Sequence, residues 1–337
     1  MIVSDNSTPR QFMISSASRA IFKSKADSPK KNAPEGFTFL SSITGGKCNL
    51  FLVSKPELED IVVMKLIPKT NIGSSSDLYY NEIKFNILDH PNIIKQLESK
   101  EDFSIETEKG KYSASYILME YASKGDLAHF IKYHKNLLED NLIRTFFHQI
   151  IDGLEYMHSK GAYHLDIKPH NLLLSEDYQV KIADFDGSYL KTNGGNFKCR
   201  GTPNYRAPEL IRGNVKDIAA VDIYSAAIVL FEFKTGGVFP FNESEKSSVI
   251  SGLRSFHENP QNFWKKKCRQ LKKSEDFFDD DFKKLFQAMT MIDPDYRVGI
   301  QGIKKFNWFN KPTLNKTQVS CLVKGVVPFH TIKSITY

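Results

Sequence analysis

The chain has 337 residues, of which 41% are hydrophobic and 25% are charged, a composition typical of a globular protein with one large core or two coupled lobes. Its formal net charge of +7 is modest, so we expect no nucleic-acid binding role. The four cysteines are scattered without CxxC spacing, which suits a reducing compartment and offers neither a zinc site nor a disulfide framework.

The sequence contains no long apolar run that could cross a membrane. The first residues lack the apolar core of a signal peptide, and neither a myristoylation nor a prenylation motif occurs. We therefore expect no membrane association and a cytosolic or nuclear location. Residues 1–35 are rich in Ser, Lys, Asn and Pro with few large apolar groups, which predicts a disordered tail.

An acid, a cation and an amide follow one another closely at Asp166, Lys168 and Asn171. Phosphoryl transfer needs a carboxylate that orients the attacking hydroxyl, a cation near the transferring oxygens and a neutral oxygen ligand for Mg²⁺. These three residues can supply those functions. A second acid, Asp184, ends a short apolar strand and could take the remaining metal position.

The first half of the chain reads mainly as strands. Apolar alternation over 37–40 and 43–53, interrupted by Gly45 and Gly46, predicts a hairpin that either covers phosphates or is an ordinary turn. The β-branched run 61–67 predicts a buried strand that carries Lys65. The segment 79–88 has helical spacing and includes Glu82, and an apolar strand at 116–122 leads into a polar linker.

The second half reads mainly as helices. Apolar residues recur at i, i+3 and i+4 over 142–154, which predicts a long core helix that ends at Gly161. The run 221–231 is apolar on every face, so its helix should be fully buried. Asp222 within it cannot be buried without a partner.

Three stretches together resemble the eukaryotic-type protein kinase family: Tyr163–Asn171 with its Asp166 and Lys168, Ile182–Asp186, and Gly201-Thr202-Pro203-Asn204-Tyr205-Arg206-Ala207-Pro208-Glu209. Lys168 after Asp166 resembles the serine/threonine-specific loop. The sequence around Gly125-Asp126-Leu127 and Phe239-Pro240-Phe241 is also similar, more weakly, to the calcium/calmodulin-dependent and related basophilic group.

This resemblance implies an α+β, bilobal fold with a small antiparallel β lobe that carries one helix, a larger, mainly helical lobe, and ATP in the cleft between them. The implied domain covers residues 36–310, divided into lobes at 36–121 and 122–310, and residues 311–337 form a tail of unknown role. ATP and Mg²⁺ are the implied cofactors. The implied partners are protein substrates with Ser or Thr acceptors, and the oligomeric state stays open.

The resemblance also assigns roles to residues. It makes Asp166 and Lys168 catalytic, places Asn171 and Asp184 on the metal, and pairs Lys65, which contacts the α- and β-phosphates, with Glu82. It makes Met119 the gatekeeper, places the backbones of Glu120 and Ala122 on adenine and Asp126 on the ribose, and further implies that Asp222 caps the catalytic loop and that Arg297 pairs with Glu209. The full set of implied ATP-binding residues is Ile43, Gly45, Gly46, Phe51, Lys65, Glu82, Met119, Glu120, Ala122 and Asp126.

Three positions where the family carries glycine depart from its pattern: Thr44, Asn49 and Asp186. They keep open the alternative of a pseudokinase that acts as a nucleotide-binding scaffold. A metabolite or lipid kinase is a second alternative, although the segment 201–209 matches one that protein kinases use to dock peptides. We expect Asp186 to be tolerated, because Asp adopts unusual backbone angles more readily than most residues.

Leu165 stands where many relatives carry an arginine that binds a phosphate on the activation loop, and Lys198 stands at the usual phosphate acceptor position. An arginine without that phosphate would be an unpaired buried cation, so the two departures fit each other. They predict activity that does not depend on activation-loop phosphorylation. Ser188 and Thr192 stay candidate modification sites by residue type, and Thr202 is expected to be a structural hydroxyl near the substrate.

Substrate preference can also be predicted from the resemblance. Asp126 and Glu232 fall where basophilic relatives place acids, while His170 occupies a position where those relatives often carry another acid. We therefore expect a moderate preference for a basic residue upstream of the acceptor.

Overall fold

The computed structural model describes residues 36–43, 49–58, 60–68, 74–107, 110–191, 201–241 and 246–325. The predicted disordered segment 1–35 lies outside the described residues. So do Gly45 and Gly46 of the predicted glycine turn, and Thr192 and Lys198 of the activation segment.

The small lobe is a five-stranded antiparallel sheet with strand order β1-β2-β3-β5-β4. Alternation along β2 and β3 divides their side chains between two faces. Phe51, Val53 and Met64 pack in the core of this lobe, whereas Leu50 and Val63 form a smaller cluster on the other face. The strands are β1 (Thr38–Ile43), β2 (Asn49–Ser54), β3 (Val62–Pro68), β4 (Gln96–Thr107) and β5 (Gly110–Glu120).

In the described part of the small lobe, one α-helix accompanies this sheet, α1 (Ser74–Ile83), and a 3₁₀ turn at Lys84–Ile87 follows it. The helix therefore begins and ends earlier than the periodicity over 79–88 indicates. Leu88 has extended backbone angles that end the helical segment, and Phe85 and Leu88 pack in the core of the large lobe. These contacts fix α1 between the two lobes.

The large lobe is mainly helical, which confirms the predicted α+β bilobal architecture. Its centre is formed by the helices α3 and α5, and α5 is buried along almost its whole length, as its composition predicts. The helices are α2 (Leu127–Tyr133), α3 (Asp140–Ser159), α4 (Pro208–Arg212), α5 (Ile218–Thr235), α6 (Lys246–Glu258), α7 (Pro260–Leu271), α8 (Asp280–Met289), α9 (Ile300–Ile303), α10 (Asn307–Asn310) and α11 (Lys316–Lys324).

Two small antiparallel sheets brace the segments that carry the predicted catalytic and metal residues. β7 (Leu172–Leu174) pairs with β8 (Val180–Ile182), and β6 (Ala162–Tyr163) pairs with β9 (Tyr189–Leu190). The catalytic loop lies between β6 and β7, and Asp184 lies between β8 and β9. Both segments are thus held at both ends by backbone hydrogen bonds.

The large lobe continues past residue 310, where the sequence places its end. An Nη of Arg144 donates to the carbonyl of Pro312 at 2.7 Å, and the backbone N–H of Leu314 donates to Thr145 Oγ1 at 2.8 Å. Asn315 then begins α11 with a capping box, and Val319 of this helix is buried in the lobe's core. Residues 311–325 therefore belong to the folded lobe.

None of the helices in the described part of the chain combines the length and the hydrophobicity that spanning a bilayer requires.

The docking of α11 can be tested with two substitutions on its opposite faces. Val319→Asp should lower the free energy of unfolding by about 2–3 kcal/mol, because the helix must detach or bury a carboxylate. Thr317→Asp, at an exposed position in the first turn, should change stability by less than about 0.5 kcal/mol. Urea unfolding of both variants measures the difference, and equal stabilities would show that α11 does not contribute to the core.

Candidate active site

The backbone of the catalytic loop is anchored by one buried carboxylate. Asp222 of α5 accepts hydrogen bonds from the backbone N–H groups of His164 (2.9 Å) and Leu165 (2.7 Å), and the Nε2 of His158 lies 2.9 Å from it. Leu165 has a φ of 65°, a strained angle for a residue with a side chain. The two hydrogen bonds hold the backbone that leads into this strained angle. The predicted role of Asp222 is thereby confirmed.

Asp166 and Lys168 form a hydrogen-bonded pair that also engages Thr202. Lys168 Nζ donates to Asp166 Oδ2 at 2.6 Å and to Thr202 Oγ1 at 2.8 Å, while the backbone N–H of Thr202 donates to Asp166 Oδ1 at 2.6 Å. Both carboxylate oxygens are therefore oriented. The hydroxyl of Thr202 lies at the site, as predicted.

Asn171 and Asp184 have the chemistry of a magnesium site. Asn171 Nδ2 donates to the carbonyl of Asp166 at 2.9 Å, whereas its Oδ1 is buried and has no hydrogen-bond partner among the described residues. Such an orphaned oxygen fits a hard cation. Burial raises the pKa of the buried Asp184 carboxyl to about 7, which Lys65 opposes.

No group of three or more His, Cys, Asp or Glu side chains arranged for a metal occurs in the described part of the chain. A carboxylate and an amide oxygen are nevertheless a sufficient protein contribution where substrate phosphates complete the shell of Mg²⁺. The residues present therefore fit Mg²⁺ bound together with a nucleotide.

Lys65 is buried in the sheet and lies among three acids. Its Nζ is 2.6 Å from Glu82 Oε2, which confirms the predicted ion pair with α1, 2.7 Å from Asp186 Oδ1 and 3.6 Å from Asp184 Oδ1. Burial raises the pKa of the Glu82 carboxyl well above its ordinary value, an effect that Lys65 opposes and Asp186 increases.

A cavity lies in the cleft between the lobes and encloses about 630 Å³ of empty space including its open mouth. Its walls are apolar and one end is charged. The lining residues are Ile43, Leu50, Val63, Lys65, Glu82, Ile94, Met119, Glu120, Tyr121, Ala122, Gly125, Leu173, Ala183 and Asp184.

Residues 44–309 match the family model described as "Protein kinase domain". The chain belongs to the eukaryotic-type protein kinase family. Similar curated proteins include CBL-interacting protein kinase 11 of Oryza sativa subsp. japonica, which is 32% identical over 259 residues, 74% of this chain and 46% of that protein. Another is CBL-interacting serine/threonine-protein kinase 24 of Arabidopsis thaliana, 32% identical over 256 residues, 74% of this chain and 52% of that protein.

A third relative, the probable serine/threonine-protein kinase MARK-A of Dictyostelium discoideum, is 32% identical over 253 residues, which are 74% of this chain and 21% of that protein. These names support the serine/threonine branch of the family. They do not specifically support the calcium/calmodulin-dependent group. The chain spans about half the length of the first curated relatives that it matches, or less.

The cavity of this kinase domain differs from the prediction at two residues. Phe51 does not line it: its ring packs against Phe39 at 5.3 Å between centroids, on the opposite face of β2, and Leu50 lines the cavity instead. Asp126 does not line it either, because the side chain accepts from the backbone N–H of His129 at 2.7 Å and caps α2. Neither side chain therefore faces the cavity where the resemblance places it.

Several residues that line the cavity are not among those that the sequence predicts. Val63 could be found from strand alternation, because it lies two residues from Lys65 on β3, whereas Leu50 is identified only by its pairing with Lys65 across β2 and β3. Leu173 and Ala183 carry no such signal, since only the tertiary fold brings their apolar side chains to the cleft. The contact of Asp186 with Lys65 was likewise missed.

Three further expectations concern the substrate side of the domain. Arg297 donates two bonds to Glu209, at 2.5 and 2.9 Å, which confirms that ion pair. Ser188 is buried and its hydroxyl donates to the carbonyl of His164, so it is not an accessible modification site. Glu232 is buried and accepts from the Tyr205 hydroxyl at 2.6 Å, so the preference for basic substrates stays a prediction.

The buried cap of α2 generates a pH-dependent prediction. Burial raises the pKa of Asp126 from 3.8 to about 6, so the folded protein binds this proton more tightly than the unfolded chain does. Its contribution to stability is then fully present below about pH 4 and is lost as the pH rises through 6. Asp126→Asn keeps an oxygen for the cap and should stabilise the domain, with a gain that grows by about 1 kcal/mol between pH 5 and pH 8.

Urea unfolding of both proteins at the two pH values measures this gain. Asp177→Asn is the matched control, because Asp177 is an exposed acid in a turn and should show no such trend. A gain for Asp126→Asn that does not change with pH would contradict the argument.

Proposed function

We propose that the protein is a serine/threonine kinase that transfers the γ-phosphoryl group of ATP to protein hydroxyls, without a requirement for activation-loop phosphorylation. The observation that carries the proposal is the closed hydrogen-bond network of Asp166, Lys168, Asn171 and Thr202. The network contains the two residues that we assign to the transfer step, Asp166 and Lys168. A scaffold without catalytic activity would not require these side chains to stay hydrogen-bonded to one another.

The residues divide the chemistry between them. The hydroxyl oxygen of the substrate attacks the γ-phosphorus, the bond between this phosphorus and the β,γ-bridging oxygen breaks, and ADP leaves with the bond's electron pair. Asp166 orients the hydroxyl and accepts its proton. Lys168 faces the γ-phosphoryl oxygens, where its positive charge stabilises the transition state.

The other end of the cavity holds the nucleotide. Lys65, fixed by Glu82, meets the α- and β-phosphates, and the apolar walls near Met119 and Ala122 take the adenine. Mg²⁺, when bound, supplies positive charge that neutralises the phosphates. Asn171 and Asp184 are the residues that would hold it.

Independence from activation-loop phosphorylation is supported by the surroundings of Leu165. This side chain is 3% exposed and packs in the core of the large lobe. It offers no positive charge to a phosphate. The loop that it belongs to is instead fixed by Asp222, which requires no modification.

The catalytic assignment is tested with Asp166→Asn. The amide keeps the size of the side chain but cannot accept a proton, so turnover should fall by roughly 10²–10⁴-fold on an arrayed Ser/Thr peptide library with Mg²⁺ and labelled ATP. Asp177→Asn should keep full turnover, and the thermal unfolding midpoint of both variants should stay close to that of the unaltered protein.

The results of this assay separate the two candidate functions. Turnover that depends on Asp166 identifies the enzyme. An unaltered, folded protein that binds ATP but transfers no phosphate would identify the pseudokinase. Full activity in a folded Asp166→Asn variant would disprove the catalytic role of this carboxylate.

Activation-loop independence requires a separate measurement. The purified protein is treated with phosphatase, residues 184–209 are shown by mass spectrometry to be unmodified, and turnover is measured again. We expect activity to stay within about twofold, because no arginine at position 165 needs an anion. A large loss that phosphorylation at Thr192 or Thr202 restores would refute this part of the proposal.

A further inference from the structure

Asp186 occupies a position where the family carries glycine, and its side chain enters the network around Lys65. The distance from Lys65 Nζ to Asp186 Oδ1 is 2.7 Å, as short as the 2.6 Å to Glu82 Oε2. The exposed fraction of the Asp186 side chain is only 10%. A buried carboxylate this close to a buried ammonium forms a charge-assisted hydrogen bond, one of the stronger polar contacts in proteins.

The backbone around Asp186 is tied to α1 by a second contact. Asn81 Nδ2 donates to the carbonyl of Asp186 at 3.2 Å and lies 3.5 Å from the carbonyl of Ser188. The hydroxyl of Ser188 in turn donates to the carbonyl of His164 in the catalytic loop. Asp186 therefore lies at the junction of β3, α1 and the metal-binding segment.

The backbone argument for an aspartate at this position is not supported. Among the described residues, Asp184 has a left-handed φ of 70°, whereas Asp186 is not one of the residues with positive φ. Any L-residue could adopt the backbone found at 186. The aspartate at this position is therefore explained by the contacts of its side chain and not by its backbone angles.

We propose that Asp186 is a positioning residue, which holds Lys65 and α1 against the metal-binding segment so that the site is assembled before any nucleotide binds. The inference rests on the proposed kinase activity for its benefit to turnover. We call the two hydrogen bonds that Asp186 accepts the latch: Lys65 Nζ donates to its Oδ1, and Asn81 Nδ2 donates to its backbone carbonyl. The latch links β3, α1 and the metal-binding segment, and it is a property of the protein without nucleotide.

A carboxylate near Lys65 could instead compete with the phosphates for this lysine, and the geometry argues against that alternative. Lys65, Glu82 and Asp184 all line the cavity, but Asp186 is not among the described residues that do. Lys65 Nζ forms an ion pair with Glu82 and donates a hydrogen bond to Asp186 Oδ1. Asp186 therefore does not occupy the space that phosphates in the cavity would take.

Leu165 explains why this kinase would gain from such a latch. Phosphorylated activation loops order their segment by pairing with basic residues, and Leu165 cannot take part in such a pairing. The hydrogen bond from Lys65 to Asp186 constrains the same segment near its start. It is present in the chain as synthesised.

The test compares Asp186→Ala with Asp186→Asn, which keeps an oxygen where Oδ1 lies. Hydrogen–deuterium exchange is measured on the nucleotide-free protein, and kcat and KM for ATP are measured on a Ser/Thr peptide. We expect Asp186→Ala to increase exchange in α1 and around residues 184–190 and to lower kcat about tenfold, with KM for ATP within about threefold. Asp186→Asn should fall between Ala and the unaltered protein, and Asp177→Ala should match the unaltered protein.

Two results would overturn the latch. One is unchanged exchange in α1 for Asp186→Ala. The other is a kcat that stays equal or rises while KM for ATP falls, which would show that the carboxylate competes with the phosphates. If the unaltered protein transfers no phosphate, the proposed function fails, whereas the exchange data still decide whether the latch exists.

Discussion

The burial of one lysine is the constraint on which the site depends. Lys65 is 4% exposed in the centre of an apolar sheet, and an ammonium cannot remain charged there without anionic partners. Glu82 has to come from α1 and Asp186 from the segment after β8, so satisfying this one charge fixes the positions of both elements. The fold of the small lobe and the geometry of the cleft are therefore coupled through a single side chain.

The large lobe solves the complementary problem of holding a strained loop. Asp222 is completely buried in an apolar helix and is satisfied by the backbone of His164 and Leu165. Without these donors the carboxylate would be costly, and without the carboxylate the left-handed angle at Leu165 would relax. The buried acid and the strained loop stabilise each other, which orients Asp166 before a substrate arrives.

The sequence predicts those features that depend on residue type and spacing, such as the strand with Lys65, the apolar helix with Asp222 and the group from Asp166 to Asn171. The sequence does not predict which of two neighbouring side chains faces the cleft. Phe51 and Leu50 are neighbours of similar polarity, and only the register of β2 against β3 shows which of them faces the cleft. Asp126 could cap a helix or face a ligand, and the choice depends on whether its helix begins at Leu127. Contacts across 121 residues, such as that of Lys65 with Asp186, leave no local signal.

The balance of charge in the cleft explains why a divalent cation at Asn171 and Asp184 would suit the rest of the site. Four carboxyl groups surround two ammonium groups, and a polyphosphate alone would meet the negative charge of those carboxyl groups that are ionised. Burial raises the pKa of the Asp184 carboxyl to about 7 and that of the Glu82 carboxyl well above its ordinary value, which lowers this negative charge. A divalent cation at Asn171 and Asp184 would replace the Asp184 proton and offset the phosphates. We therefore expect a nucleotide that carries its metal to bind more tightly than a free one. The four carboxyl groups are those of Glu82, Asp166, Asp184 and Asp186, and the two ammonium groups are those of Lys65 and Lys168.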